Sequence, residues 1–231
     1  MKTVGIVGGI GPESTIEYYR FIIEGYRKRI TDGSYPAIVI NSVDLNKLLG
    51  WMNTNQLVAF TDYLVAAIEK LAGAGADFAA LAANTPHVVF DQIRERSQLP
   101  LISIVEATRD RARDLGLKRL ALFGTRFTMQ ARFYPEMFTD VGLTIVVPNE
   151  EEQEFIHEKY FAELVNNIFL PETRERLLAI VDRMKREDGA EALILGGTEL
   201  PLILREAEGD DLPFLDTTRI HVDRIVEELL L

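Results

Sequence analysis

The sequence predicts an α/β protein made of two similar, pseudo-symmetric lobes, each a small parallel sheet flanked by helices. Three observations predict it. Short apolar runs alternate along the chain with longer segments of helical period. The runs are apolar at nearly every position rather than at every second one, the mark of strands covered on both faces. The whole pattern then occurs twice.

The strand-like runs lie at 4–7, 37–40, 78–82, 101–104, 120–123, 143–147, 192–195 and 214–215. Helical periodicity fills the gaps at 14–29, 56–72, 104–115, 130–141, 151–169, 171–188 and 217–230. Pro12 stands near the first turn of the opening helix, where a missing N–H is harmless. Strand–helix alternation of this kind gives parallel sheets with crossover helices.

The repeat is visible in three pairs of segments. Lys2-Thr3-Val4-Gly5-Ile6-Val7-Gly8 echoes Lys118-Arg119-Leu120-Ala121-Leu122-Phe123-Gly124. Gly75-Ala76-Asp77 before one apolar run echoes Gly189-Ala190-Glu191 before another. Pro100-Leu101-Ile102 echoes Pro213-Phe214-Leu215. Units of this type look alike everywhere, but three pairs in one order at near-constant spacing point to duplication. Residues 1–104 plus 217–231 are expected to form an N-terminal lobe, and residues 105–216 a C-terminal lobe. Ligands of parallel sheets bind beyond the carboxyl ends of the strands, so a cleft between the lobes is the expected active site.

Composition narrows the function. With 25 basic and 36 acidic residues the net charge is −11, which argues against the clustered cations that nucleic-acid binding requires. No apolar stretch is long enough for a membrane span. The start of the chain enters strand-like sequence without a signal peptide's apolar stretch, so a cytoplasmic location is expected. The chain has no cysteine, which removes disulfides and thiolate metal sites. Its three histidines, His87, His157 and His221, are far apart in sequence, and no metal site is expected.

The polar residues that could carry chemistry sit where apolar runs end. Gly8-Gly9-Ile10-Gly11-Pro12-Glu13-Ser14 follows the first run and opens a helix. It matches a dinucleotide fingerprint poorly, since Pro12 is foreign to that pattern. A tight turn whose backbone at Gly9 and Ile10 also meets a carboxylate is the favoured reading. Asn84-Thr85 and Thr198-Glu199 occupy matching places in the two repeats. They can cap helices or offer donors to a carboxylate, and the two roles are compatible. Glu199 can meet an amino group or act as a base. Thr125 and Thr128, at the end of another run, are further carboxylate donors. His87 and Asp44 are candidate accessory groups. His157, Lys159 and Lys47 are available as charge partners, although exposure on a helix surface accounts for each.

Together these segments resemble the aspartate/glutamate racemases, PLP-independent enzymes of similar length, particularly the branch acting on both amino acids. Gly8 to Thr15 is similar to the family's opening loop, and Asn84-Thr85-Pro86-His87 to the tail of its Cys-Asn-Thr-x-His motif. Gly197-Thr198-Glu199 is similar to its Gly-Cys-Thr-Glu motif. Asn41-Ser42-Val43-Asp44 and Gly124 to Met129 add to the likeness.

The resemblance implies no cofactor, a homodimer, and a small acidic amino acid or dicarboxylate as ligand, held by Asn84, Thr85, Thr198 and Glu199. It also implies two thiols on opposite faces of the substrate Cα, one removing a proton and the other delivering one. Those positions are Ala83 and Gly197 here. Neither side chain can carry a proton, so two-thiol racemisation is not expected. Two alternatives stand beside a ligand-binding racemase relative: altered chemistry using Glu199 or His87, and an inactive binding protein.

Overall fold

The computed structural model describes residues 2–204 and 212–231. The elements follow in chain order: β1 (Thr3–Gly8), α1 (Pro12–Arg29), β2 (Ala37–Ser42), α2 (Leu45–Asn53), α3 (Leu57–Gly73), β3 (Phe78–Leu81), α4 (Phe90–Arg96), β4 (Leu101–Ile102), α5 (Ile104–Asp114), β5 (Arg119–Phe123), α6 (Arg126–Gln130), α7 (Phe133–Thr139), β6 (Thr144–Val146), α8 (Glu150–Ala162), α9 (Pro171–Glu187), β7 (Ala192–Leu195), α10 (Leu200–Ile203), β8 (Phe214–Asp216) and α11 (Thr217–Leu229). Contacts divide the chain into Met1–Ile104 with Thr218–Leu231, and Val105–Thr217.

Each unit holds one four-stranded sheet, ordered β2-β1-β3-β4 in the first and β6-β5-β7-β8 in the second. All the pairings are parallel. The orders are the same when the repeat is taken into account, as the paired segments predict. The likeness extends to single bonds. Ala82 N–H donates to Val7 O at 3.0 Å, and Gly196 N–H to Phe123 O at 2.7 Å. The Asp77 carboxylate accepts from Thr3 N–H at 2.7 Å, and the Glu191 carboxylate accepts from Lys118 N–H at 2.6 Å. Each carboxylate clamps the start of its sheet's inner strand.

Continuous apolar strands make sense once both faces are seen to be covered. In the first unit Val7, Ala79 and Leu81 join a cluster with Phe60, Leu64 and Ile68 of α3. Val4, Ile6, Phe78 and Ala80 join another with Ile22 of α1 and Val226 of α11. Neighbouring residues of one strand thus serve opposite faces. In the second unit Ala121, Phe123, Leu193 and Leu195 pack with Ile156 and Tyr160 of α8 and with Leu177 and Ile180 of α9.

Helix ends follow local chemistry. Pro12 begins α1, Glu13 lies in its first turn, and Arg27, Lys28 and Arg29 close it, all favourable to the helix dipole. Asn149 and Glu152 form a capping box at the start of α8, satisfying two otherwise unpaired N–H groups.

Two helices expected from periodicity are broken. The segment 151–169 ends as α helix at Ala162 and continues as a 3₁₀ turn, Leu164–Asn166. Asn166 Nδ2 donates to Phe161 O at 3.0 Å and Ala162 O at 3.2 Å, and Asn167 adopts a left-handed φ of 60°, which asparagine tolerates better than most residues. The segment 130–141 is replaced by α6 and α7, because Ala131 between them is extended. Strand 101–104 is shorter than expected, since α5 begins at Ile104. The helices α2 and α10 lie outside the segments of helical period, and the helix after Asn84 opens as a 3₁₀ turn, Thr85–Val89, before α4.

Candidate active site

In the first unit the carboxyl ends of β1, β2 and β3 bring Gly9, Ile10, Asp44, Ala83, Asn84, Thr85 and His87 to one edge of the sheet. Gly9 has a φ of +80°, and a Cβ there would lie 2.5 Å from Ser42 Oγ and 2.7 Å from Val43 N. Only glycine fits that turn. Its N–H already donates to Thr15 Oγ1 at 2.8 Å, so this donor is used within the loop. Ile10 packs against the cluster that contains Val7 and Leu81. Asp44 caps α2, its Oδ1 accepting from Asn46 N–H at 2.9 Å and Lys47 N–H at 3.4 Å. Lys47 lies over the Tyr63 ring, 5.8 Å from its centroid.

Ala83 and Asn84 are buried. A 3₁₀ turn, Thr85–Val89, follows them with Pro86 at its start. His87 is buried within that turn and stacks on Phe90 with ring centroids 4.4 Å apart. Its Nδ1 faces Asn84 O at 3.2 Å. A carbonyl only accepts, so Nδ1 carries the proton and Nε2 is left as a bare acceptor. That Nε2 is buried without a hydrogen-bond partner. Burial above all, and the unfavourable coupling to a second buried imidazole at His221, hold the imidazole neutral, with its pKa down at about 3. A group so hard to protonate is a weak base at neutral pH.

In the second unit the carboxyl ends of β5 and β7 bring together Thr125, Thr128, Gly197, Thr198 and Glu199. Thr125 caps α6, its Oγ1 accepting from Thr128 N–H at 3.3 Å and lying 3.2 Å from Thr128 Oγ1. The backbones of the two loops nearly touch: a Cβ at Gly124 would lie 3.0 Å from Gly196 O. Thr198 and Glu199 are buried, and Thr198 Oγ1 donates to Glu199 Oε2 at 3.0 Å.

Tyr160 of α8 completes this cluster, and motif reading did not single it out. Its hydroxyl donates to Glu199 Oε2. Burial, then the Glu199 carboxylate, push its pKa well above the ordinary phenol value, against a smaller opposing pull from the Thr198 hydroxyl and the Glu199 N–H. Tyr160 continues the buried stripe Glu152, Ile156, Tyr160 of α8, so its spacing looks like core. Its trace in the sequence is the glycine at 197, where a Cβ would meet this ring.

The charge partners considered in the sequence are engaged elsewhere. His157 Nδ1 accepts from Arg126 N–H at 3.2 Å, Arg126 pairs with Glu154, and Lys159 pairs with Glu163 at 2.6 Å.

Two parallel sheets of matching order, with polar turns at matching carboxyl ends, define a two-repeat α/β protein. A family model described as Asp/Glu/Hydantoin racemase matches residues 7–225. The chain belongs to that family. It is 25% identical over 227 residues to the broad specificity amino-acid racemase RacX of Bacillus subtilis (strain 168), covering 93% of this chain and 92% of that protein. It superimposes on the crystal structure of an aspartate racemase homologue from Pyrococcus horikoshii OT3 with a TM-score of 0.86, at 33% identity and full coverage of both chains. A candidate Asp/Glu racemase from Yersinia pestis gives a TM-score of 0.91 at 28% identity, again over the whole of both chains. Among the described residues no helix is long and apolar enough to cross a membrane.

Proposed function

We propose that this racemase-family protein binds a small acidic amino acid or a similar dicarboxylate at the carboxyl ends of its strands and does not racemise it by two thiols. One observation carries the reading: Asn84-Thr85 and Thr198-Glu199, at equivalent ends of β3 and β7, keep polar side chains where Ala83 and Gly197 offer no group that can move a proton. A positioned acid or base contributes about 10²–10⁴-fold to such a reaction. With both absent, the family's proton relay has no carrier on either face. Gly9, Ile10, Thr125 and Thr128 belong to the same reading as neighbours of the ligand, with no cofactor, in a cytoplasmic homodimer.

Altered chemistry is the weaker alternative. His87 is held neutral with a pKa near 3, and Glu199 is already paired with Tyr160. Calorimetric titration of the purified protein with D- and L-aspartate, D- and L-glutamate and related diacids tests the binding reading; absence of heat with all of them ends it. Incubation of the same ligands in D₂O tests the chemistry. No exchange at Cα is expected, and exchange that disappears in Glu199→Gln would replace the reading with an active enzyme. Sedimentation equilibrium checks the dimer.

A further inference from the structure

Gly197 and Tyr160 fit one another as a pair. A Cβ built on Gly197 would lie 2.5 Å from Tyr160 Cε2, 3.0 Å from its Oη and 3.1 Å from its Cζ. Atoms in a packed interior do not approach so closely, so no side chain at 197 coexists with this ring where it stands. Gly197 is not among the glycines with positive φ. Space, not backbone conformation, is what demands glycine there.

The tyrosine is held firmly. It is 6% exposed, its ring meets Phe161 at 5.5 Å between centroids, and its helix is fixed by the Asn149–Glu152 capping box. Glu152 also receives two bonds from Arg183, each 2.6 Å. The hydroxyl then spends its single proton on Glu199, whose carboxylate also takes the Thr198 hydroxyl. Two polar groups read above as ligand contacts are therefore satisfied inside the protein.

We propose that Tyr160 is a built-in occupant of the Thr198-Glu199 turn: its ring fills the volume of a side chain at 197, and its hydroxyl occupies Glu199 Oε2, an acceptor that the ammonium group of an amino acid would use. The inference rests on the reading of Thr198 and Glu199 as ligand contacts given above. It makes Tyr160 the residue that decides whether this turn accepts an α-amino acid. The wild-type chain then draws its affinity from the Asn84-Thr85 turn, and removal of the phenol opens the Thr198-Glu199 turn to an ammonium group.

Two measurements test it. In the first, D- and L-aspartate and D- and L-glutamate are titrated calorimetrically into wild type, Tyr160→Ala and Tyr160→Phe. Tyr160→Ala is expected to bind at least one of them about tenfold more tightly than wild type, and Tyr160→Phe, which frees the Glu199 acceptor but keeps the ring over Gly197, to gain less than Tyr160→Ala. Tyr160→Leu serves if the alanine variant does not fold. Equal or weaker binding by the ring-less variants overturns the proposal. The second measurement needs no ligand. Gly197→Ala is expected to lower the Tm of wild type by about 5 °C and to be tolerated in the Tyr160→Ala background. An unchanged Tm for Gly197→Ala alone overturns the claim that the ring fills the 197 volume. Absence of heat in every variant would instead reject the ligand reading of the preceding section, with the Tm cycle still deciding the tyrosine's role.

Discussion

The Tyr160 hydroxyl donates to the Glu199 carboxylate, and both side chains are almost fully buried, at 6% and 2% exposure. A buried carboxylate that loses a donor bears a desolvation cost of about 1–3 kcal/mol. Tyr160→Phe is therefore expected to lower the unfolding free energy by about that amount, measured by urea titration. Wild-type stability in the variant would show that the bond contributes nothing.

The same burial makes a statement about alkaline pH. Tyr134 and Tyr160 both have pKa values raised by desolvation, Tyr160 further by Glu199. Above the ordinary phenol pKa the unfolded chain releases these protons and the folded protein keeps them, so stability should fall as pH rises past about 10. Tyr160→Phe should make that decline shallower; an identical decline in the variant counts against an elevated pKa at Tyr160.

Acid weakens the first unit for the opposite reason. His221 Nε2 donates to Ile102 O at 3.0 Å, which leaves Nδ1 to accept from the Tyr18 hydroxyl at 2.7 Å. Burial depresses its pKa to about 4, and that of His87 to about 3. Both imidazoles are neutral in the folded state, while the unfolded chain protonates below about 6.5. Their contribution is full above that pH and is lost as pH falls toward 4 and then 3, at no more than about 1.4 kcal/mol per pH unit per histidine. Chemical denaturation at a series of pH values between 7 and 4 should show this slope. Its absence in that range would mean that neither histidine is held neutral.

Asp44 is placed as a helix cap. Asp44→Ala is expected to cost about 1 kcal/mol of stability and to leave the affinity for acidic amino acids within about twofold. A tenfold loss of affinity, roughly 1.4 kcal/mol, would move Asp44 from the cap to the ligand.

Arg183 ties α9 to the start of α8 through Glu152 and reaches Asp188 at 2.8 Å. Glu152 is 6% exposed, so Arg183→Leu leaves a nearly buried carboxylate without its cation. The expected loss is about 2–4 kcal/mol, less than for a fully enclosed pair because the arginine retains some exposure. Restoration of stability by the second change Glu152→Gln would confirm that the stranded charge is the cause.

The inner strands β1, β3, β5 and β7 were legible because their continuous burial demands apolar runs; Ala192–Leu195 is found with the expected bounds. The equivalence of Asp77 and Glu191 was legible too, as a shared motif ahead of β3 and β7. The break after Ala162 was not. Leu164, Val165 and Ile168 extend the apolar pattern beyond it, and the asparagine bonds that end the helix exist only in the folded turn. At the candidate site the polar turns announced themselves by standing at strand ends. Tyr160 did not, since it lies 39 residues before Glu199 on a helix stripe that reads as ordinary core.

The carboxylates of Asp77 and Glu191 sit at the amino ends of their sheets, away from the polar turns. Each repeat therefore keeps its own anchor at the edge remote from those turns. Frame and chemistry are carried by opposite rims of the same sheet, and one rim can be rewritten without loosening the other. Substitutions among the turns at one rim leave the clamps at the other in place, so the frame persists whatever those turns come to hold.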